Sequence, residues 1–244
     1  MIYPTYFDSK KSFKLFGLSN IFTLLKKLYI KNKLPKVLML SGKKGSGKST
    51  LVNHFLFSIF DKENYSNDLR ELSDNSTFFN LFHNNIHPNI IYLFGSDFKN
   101  TKIDDVRNLK KKISQTSISD KPRFIIFDDV ELFNNNSLNA LLKTIEEPSE
   151  NNFFVLINNQ SKPLLDTIKS RSLEIKIILS EKERLDITEF LIDKFKINSL
   201  IDPIKSQLTP GSFIKFNYIF DEYKISINED YLENLSILLN LFKK

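Results

Sequence analysis

Gly42, Gly45 and Gly47 lead into Lys48, Ser49 and Thr50 in the stretch Gly42-Lys43-Lys44-Gly45-Ser46-Gly47-Lys48-Ser49-Thr50. This fits the phosphate-binding pattern G-x-x-x-x-G-K-[ST]. The chain has only 6 glycines, so three in so short a stretch are not a by-product of composition. The chemistry follows from the residue types. Glycines let backbone N–H groups turn toward a polyphosphate, Lys48 has the length to reach its outer phosphates, and the Ser49 hydroxyl suits Mg²⁺. A second cluster, Asp128-Asp129, closes the apolar run Phe124-Ile125-Ile126-Phe127. A carboxylate at a strand end beside such a loop holds Mg²⁺ through its water shell, and Asp128 stands in that place. Asp129 stands where the carboxylate that polarises an attacking water is expected, one methylene shorter than Glu.

These groups meet only if the elements carrying them are arranged around the loop. Val37-Leu38-Met39-Leu40 reads as a buried strand before it, and Leu51, Val52, Phe55 and Leu56 recur at helical spacing after it. Strand, loop, helix aims the partial positive charge of the helix N-terminus at an anion. Further strands are predicted at Ile90–Phe94, Phe124–Phe127, Phe153–Ile157 and Leu173–Ile177. Helices are predicted from Ile21, Leu24, Leu25 and Leu28, from Thr101 onward (Ile103, Val106, Leu109, Ile113), and over Asn134–Glu147, stopped by Pro148. Residues 61–88 show no clear period and read as loop or ill-defined helix.

Strands alternating with helices predict an α/β fold with a doubly wound parallel sheet and both faces covered. At Ser180 the character changes. Ser180-Glu181-Lys182-Glu183 is a capping box, and the remainder reads as helix and connector. The expected organisation is a nucleotide-binding domain over 1–178 and a small all-helical domain over 179–244.

Composition bounds the rest. The chain has 244 residues, 41% hydrophobic and 26% charged, with no apolar run long enough to span a bilayer and no leader pattern at its start. Cysteine is absent, which excludes disulfides, Cys-ligated zinc and thiol catalysis and suits a cytoplasmic setting without membrane contact. His54, His83 and His87 are too scattered for a histidine-rich metal site. The net charge of +6 suits an anionic partner such as nucleic acid, although the abundance of Lys, Asn, Ile and Phe in an AT-rich genome would give the same balance.

Asp128-Asp129-Val130-Glu131-Leu132-Phe133-Asn134, followed by Ser137-Leu138-Asn139-Ala140-Leu141-Leu142-Lys143-Thr144-Ile145-Glu146-Glu147-Pro148, closely resembles the clamp-loader branch of the AAA+ ATPases. The resemblance extends along the chain. Phe16-Gly17-Leu18 is similar to the family's adenine-seating segment, and His87-Pro88-Asn89 to its entry into the second strand. The run Phe154 to Asn159 resembles the strand ending in sensor 1, with Asn158 and Asn159 both candidates. Thr167-Ile168-Lys169-Ser170-Arg171-Ser172 resembles the Ser-Arg-Cys motif, in which the arginine is offered to ATP on a neighbouring subunit.

The resemblance implies an AAA+ P-loop domain with flanking helices, followed by a helical lid. It implies ATP and Mg²⁺ as ligands, held by Phe16, Gly17, the Gly42–Thr50 loop and Asp128. The implied partners are other clamp-loader subunits in a ring or spiral, the sliding clamp and primer–template DNA, with Lys99, Thr101 and Lys102 as candidate DNA contacts and Lys110-Lys111-Lys112 extending them. Two departures bear on activity. The lid arginine expected after Gly211-Ser212 is replaced by Ile214, beside Lys215, and the family's C-terminal collar has no counterpart in these residues. With the Walker B Glu, the sensor 2 Arg and the cysteine zinc module of the motor subunit all lacking, the expectation is a delta-prime kind of subunit that binds ATP and hydrolyses it slowly or not at all. The alternatives are the motor subunit itself or a non-catalytic ATP-binding scaffold.

Overall fold

The computed structural model describes residues 4–98 and 121–225. The chain divides into two compact units, Met1–Ile178 and Leu179–Lys244. The helix expected from Thr101, together with Lys99, Lys102 and the Lys110–Lys112 run, lies outside the described residues.

The first unit is built on a parallel sheet of five strands in the order β4-β5-β6-β1-β7. These are β1 (Val37–Ser41), β4 (Ile90–Phe94), β5 (Arg123–Asp128), β6 (Asn152–Asn158) and β7 (Leu173–Lys176). Their near-continuous apolar runs have a direct cause: the strands feed two cores at once. Leu38, Leu40, Phe124, Ile126, Val155 and Ile157 face one layer, under α1 (Ser19–Ile30) and α2 (Lys48–Phe60). Val37, Met39, Ile125, Phe127, Phe154 and Leu156 face the other, with Leu138 and Ile145 of α4 (Asn135–Glu146) and Ile168 of α5 (Asp166–Lys169). The period of two along each strand assigns alternate side chains to opposite layers. Phenylalanine fills much of the first layer, with Phe55 edge-on to Phe124 at 5.9 Å and Phe57 edge-on to Phe82 at 5.1 Å.

Two stretches differ from their sequence-based reading. Residues 61–88 contain a small antiparallel pair, β2 (Tyr65–Ser66) with β3 (Glu71–Leu72), and α3 (Thr77–His83), capped by Ser76 accepting from the Phe79 N–H at 2.9 Å. Two-residue strands are too short to show a period. In α1 Leu25 is buried and Ile21 and Leu28 pack against the core as expected, but Phe22 is buried as well and Leu24 is exposed, so the stripe departs from the expected one at Leu24.

The second unit opens on α6 (Glu181–Phe195), where Ser180 and Glu183 form the reciprocal capping box. Next come α7 (Pro203–Ser206) and α8 (Pro210–Glu222). Arg184 ties α6 to the connector through its bonds to the Pro203 and Leu208 carbonyls at 2.8 and 3.3 Å. The buried Asn217 side chain accepts from the Leu200 and Ile201 N–H groups. Among the described residues no helix is long and apolar enough to cross a membrane.

Candidate nucleotide site

Ligands of open parallel sheets bind at the carboxyl ends of the strands, where the chain order reverses. β1 is such a strand, with β6 on one side and β7 on the other. Its carboxyl end runs into the glycine loop, which delivers Lys48 at the first position of α2. Gly45 and Gly47 have φ of 80° and 87°, a backbone that side-chain-bearing residues rarely adopt. The Gly42 N–H donates to the Asn158 carbonyl at 3.2 Å, which ties the loop entrance to β6.

Lys48 is buried and curls back over the loop. Its ammonium donates to the Gly42 and Lys43 carbonyls at 2.7 and 2.8 Å and to Ser46 Oγ at 3.3 Å. Burial pulls its pKa down to about 8, opposed by the nearby carboxylates of Asp128, Glu131 and Asp129. The Phe16–Leu18 segment borders this loop. Gly17 and Leu18 take φ of 65° and 53°, and Leu18 Cδ1 would lie 3.4 Å from a Cβ placed on Gly47. Phe16 is half-buried.

Asp128, the last residue of β5, has both carboxylate oxygens engaged. Oδ2 accepts from Tyr92 Oη at 2.9 Å and Oδ1 from the Asp129 N–H at 3.0 Å. The Ser49 side chain lies near enough to this carboxylate to lower its pKa. Burial pushes the Asp128 carboxyl above the usual carboxylate range, while Ser49 and the bond from Tyr92 draw it back. Ser49 and Asp128 are thus neighbours and offer only oxygen, the donor chemistry that magnesium takes. Thr50 follows on α2, half-buried.

Asp129 adopts a left-handed backbone, φ 54°. Its carboxylate accepts from Asn159 Nδ2 at 2.6 Å and pairs with Lys44 Nζ at 3.3 Å. The two asparagine candidates therefore separate. Asn159 faces Asp129, whereas Asn158 Oδ1 accepts from the Gln160 N–H at 2.9 Å and shapes the turn.

Arg171 stands apart from this cluster. It precedes β7, at the amino end of the sheet. Leu173 there pairs with Leu38, so the loop begins about 13 Å of strand further on. Its Nε donates to Glu146 Oε1 at 2.6 Å, and its Nη1 to the Thr167 carbonyl at 2.9 Å and Ser170 Oγ at 3.2 Å. The side chain is still 37% exposed and borders an open cavity of about 420 Å³ with Pro35, Lys36, Val37 and Glu146. In the second unit Ile214 is buried and Lys215 exposed.

Three functional-looking residues escaped the sequence reading. Tyr92 was read only as strand. Glu131 is buried, and its carboxylate accepts from the Asn159 and Ser161 N–H groups and Ser161 Oγ at 2.7–3.2 Å, which pins the loop that carries Asn159. Gly95 packs so closely that a Cβ there would lie 2.1 Å from the Asp129 carbonyl oxygen. The signals were an acid amid apolar neighbours, a polar tip inside an apolar run, and a glycine at a strand end.

A parallel sheet in this order, with the glycine loop after β1 and Asp128 and Asp129 at the end of β5, is a P-loop α/β fold. The RuvB Holliday junction branch migration motor of Thermotoga maritima shares that fold, with a TM-score of 0.51 and 16% identity over 96% of this chain and 74% of that one. The chain belongs to the family described as DNA polymerase III, delta subunit, which it matches over residues 17–180.

Among its relatives, the DNA polymerase III subunit delta' of Pseudomonas aeruginosa is 36% identical over 89 residues, 36% of this chain and 27% of that protein. Subunit gamma of Buchnera aphidicola from Schizaphis graminum is 32% identical over 95 residues, 38% and 26% of the two chains. Subunit delta' of Bacillus subtilis is 28% identical over 141 residues, 58% and 41% of the two chains. The matched stretches thus span 26–41% of these relatives' own lengths.

Proposed function

We propose that this chain is a delta-prime-like subunit of the replicative clamp loader. It binds Mg²⁺–ATP on the Gly42–Thr50 loop and offers Arg171 to nucleotide on a neighbouring subunit while the sliding clamp is loaded onto primer–template DNA. The observation that carries the reading is the separation of Arg171 from Lys48 by the length of β1, which puts the arginine out of reach of its own chain's loop. Gly42, Gly45, Ser46, Gly47 and Lys48 hold the phosphates, Phe16 and Gly17 border the base, and Ser49 and Asp128 hold the metal. The metal supplies charge neutralisation between the outer phosphates. On binding, the Lys48 ammonium exchanges loop carbonyls for phosphate oxygens.

Hydrolysis by this chain is slow or absent. Asp129 is short for its task and is engaged by Lys44 and Asn159, and Ile214 brings no charge from the lid. The domain division at 178/179, a DNA contact through Lys99, Thr101 and Lys102, and a cytoplasmic location belong to the same proposal. The motor-subunit reading draws support from the intact loop and the gamma relative.

Titration and turnover on the purified chain separate the readings. ATP binds, Lys48→Ala weakens it by at least about tenfold, and turnover is negligible. Robust turnover that survives Arg171→Ala but not Lys48→Ala would make the chain a motor.

A further inference from the structure

Behind Asp128 lies a second layer of contacts that the phosphate loop does not explain. Tyr92 of β4 donates to Asp128 Oδ2 at 2.9 Å and lies beside Ser49. The face of its ring is covered by Lys10, whose ammonium sits 4.2 Å from the Tyr92 centroid, 4.8 Å from that of Phe94 and 5.8 Å from that of Phe82. Lys10 is only 5% exposed, and its one hydrogen-bond acceptor among the described residues is Asn85 Oδ1 at 2.5 Å. A lysine this buried needs a reason, and the segment carrying it is firmly held. Asp8 Oδ1 accepts from the Lys10 N–H, Asn53 of α2 donates to Ser9 Oγ, and Lys14 pairs with Glu71.

We propose that Tyr92, backed by Lys10, is a positioning residue for the metal half of the nucleotide site, so that the amino-terminal segment is part of that site. The inference rests on the reading that the loop binds Mg²⁺–ATP. Magnesium tolerates little departure from octahedral geometry. A carboxylate that is to serve it must therefore be held in one orientation, and the phenol fixes Oδ2 while the Asp129 N–H fixes Oδ1. A cation over the ring face withdraws electron density from the phenol and makes its O–H a stronger donor. Burial lowers the Lys10 pKa, while the charges of Asp8 and Asp128 raise it, which places Lys10 within the field of the same carboxylate.

The test is ATP affinity measured by calorimetry with excess Mg²⁺ and again with EDTA. Tyr92→Phe keeps the ring in its cage and removes only the hydroxyl. The ratio of the two affinities should fall about tenfold, the size of one charge-assisted hydrogen bond. Lys10→Met should lower the same ratio about threefold, and the double variant should be no worse than Tyr92→Phe alone, because Lys10 acts through the phenol. An unchanged ratio in Tyr92→Phe overturns the proposal, as does a loss of equal size with and without metal, which marks a merely structural role. If Tyr92→Phe does not fold, Lys10→Met decides by the same ratio. Wild-type protein that binds no ATP in either buffer overturns the nucleotide reading itself and this inference with it.

Discussion

Glu131 is the residue on which the geometry around Asp129 depends most. It brings a buried carboxylate to three donors of the 159–161 turn, and that turn holds Asn159 Nδ2 against Asp129. Glu131→Ala removes the acceptor of these three donors, of which Asn159 is half-buried and Ser161 exposed, and should lower the stability of the first unit by about 1.5 kcal/mol. Urea unfolding followed by circular dichroism checks this; a loss within experimental error would mean that water replaces the carboxylate. Glu131→Gln keeps an acceptor and should recover part of the loss. Glu131, Tyr92 and Lys10 share a trait that hid them from the sequence. Each takes its meaning from a partner distant in the chain, and no local spacing encodes such a pairing. Lys48, Ser49 and Asp128 were legible because their chemistry is bound to a local pattern.

At the scale of elements, the five described strands of the parallel sheet could be read because both of their faces are covered and the apolar runs are unbroken. The β2–β3 pair and α3 could not, since their register depends on contacts with α2 and the amino-terminal segment. The capping box of α6 was plain in Ser180-x-x-Glu183 and is formed as expected. Ser180→Ala should cost about 1 kcal/mol of helix stability, read from the thermal transition of the intact chain.

The box also sets a pH response. The Glu183 carboxyl is held below its ordinary value by the Ser180 side chain and backbone. A carboxyl with a depressed folded-state pKa contributes stability that is fully present above its unfolded value of about 4.3. That contribution is lost as pH falls through the lower folded value. Glu183→Gln, which still accepts the backbone bond, should flatten this acid response while sparing stability at neutral pH. An acid limb unchanged in the variant would assign the response to other carboxylates.

For the whole molecule, the sheet presents two ends with different contents. Its carboxyl end carries the glycine loop, Asp128 and Asp129, and its amino end carries Arg171 beside an open cavity. Under the proposed function, a chain built this way completes a site only in company. Arg171→Lys keeps the charge but not the planar fork, and in the assembled complex it should lower ATP turnover nearly as far as Arg171→Ala, by about a thousandfold at the affected site. Steady-state turnover of the reconstituted complex reads this, and full activity in the lysine variant would show that charge alone suffices.

The fold of the first unit was largely legible, since it follows from alternating apolar runs. The separation of Arg171 from the loop follows from strand order, which a sequence pattern leaves open.

The bonds that Arg171 makes within its own chain have a thermodynamic consequence. A free arginine side chain on a surface samples many rotamers, and stilling them costs about 2 kcal/mol of entropy. Here Nε and Nη1 are already held by Glu146, Thr167 and Ser170, while Nη2 makes no hydrogen bond among the described residues. Most of that disorder was surrendered when the chain folded. An anion arriving at Nη2 therefore meets a group that has little freedom left to lose.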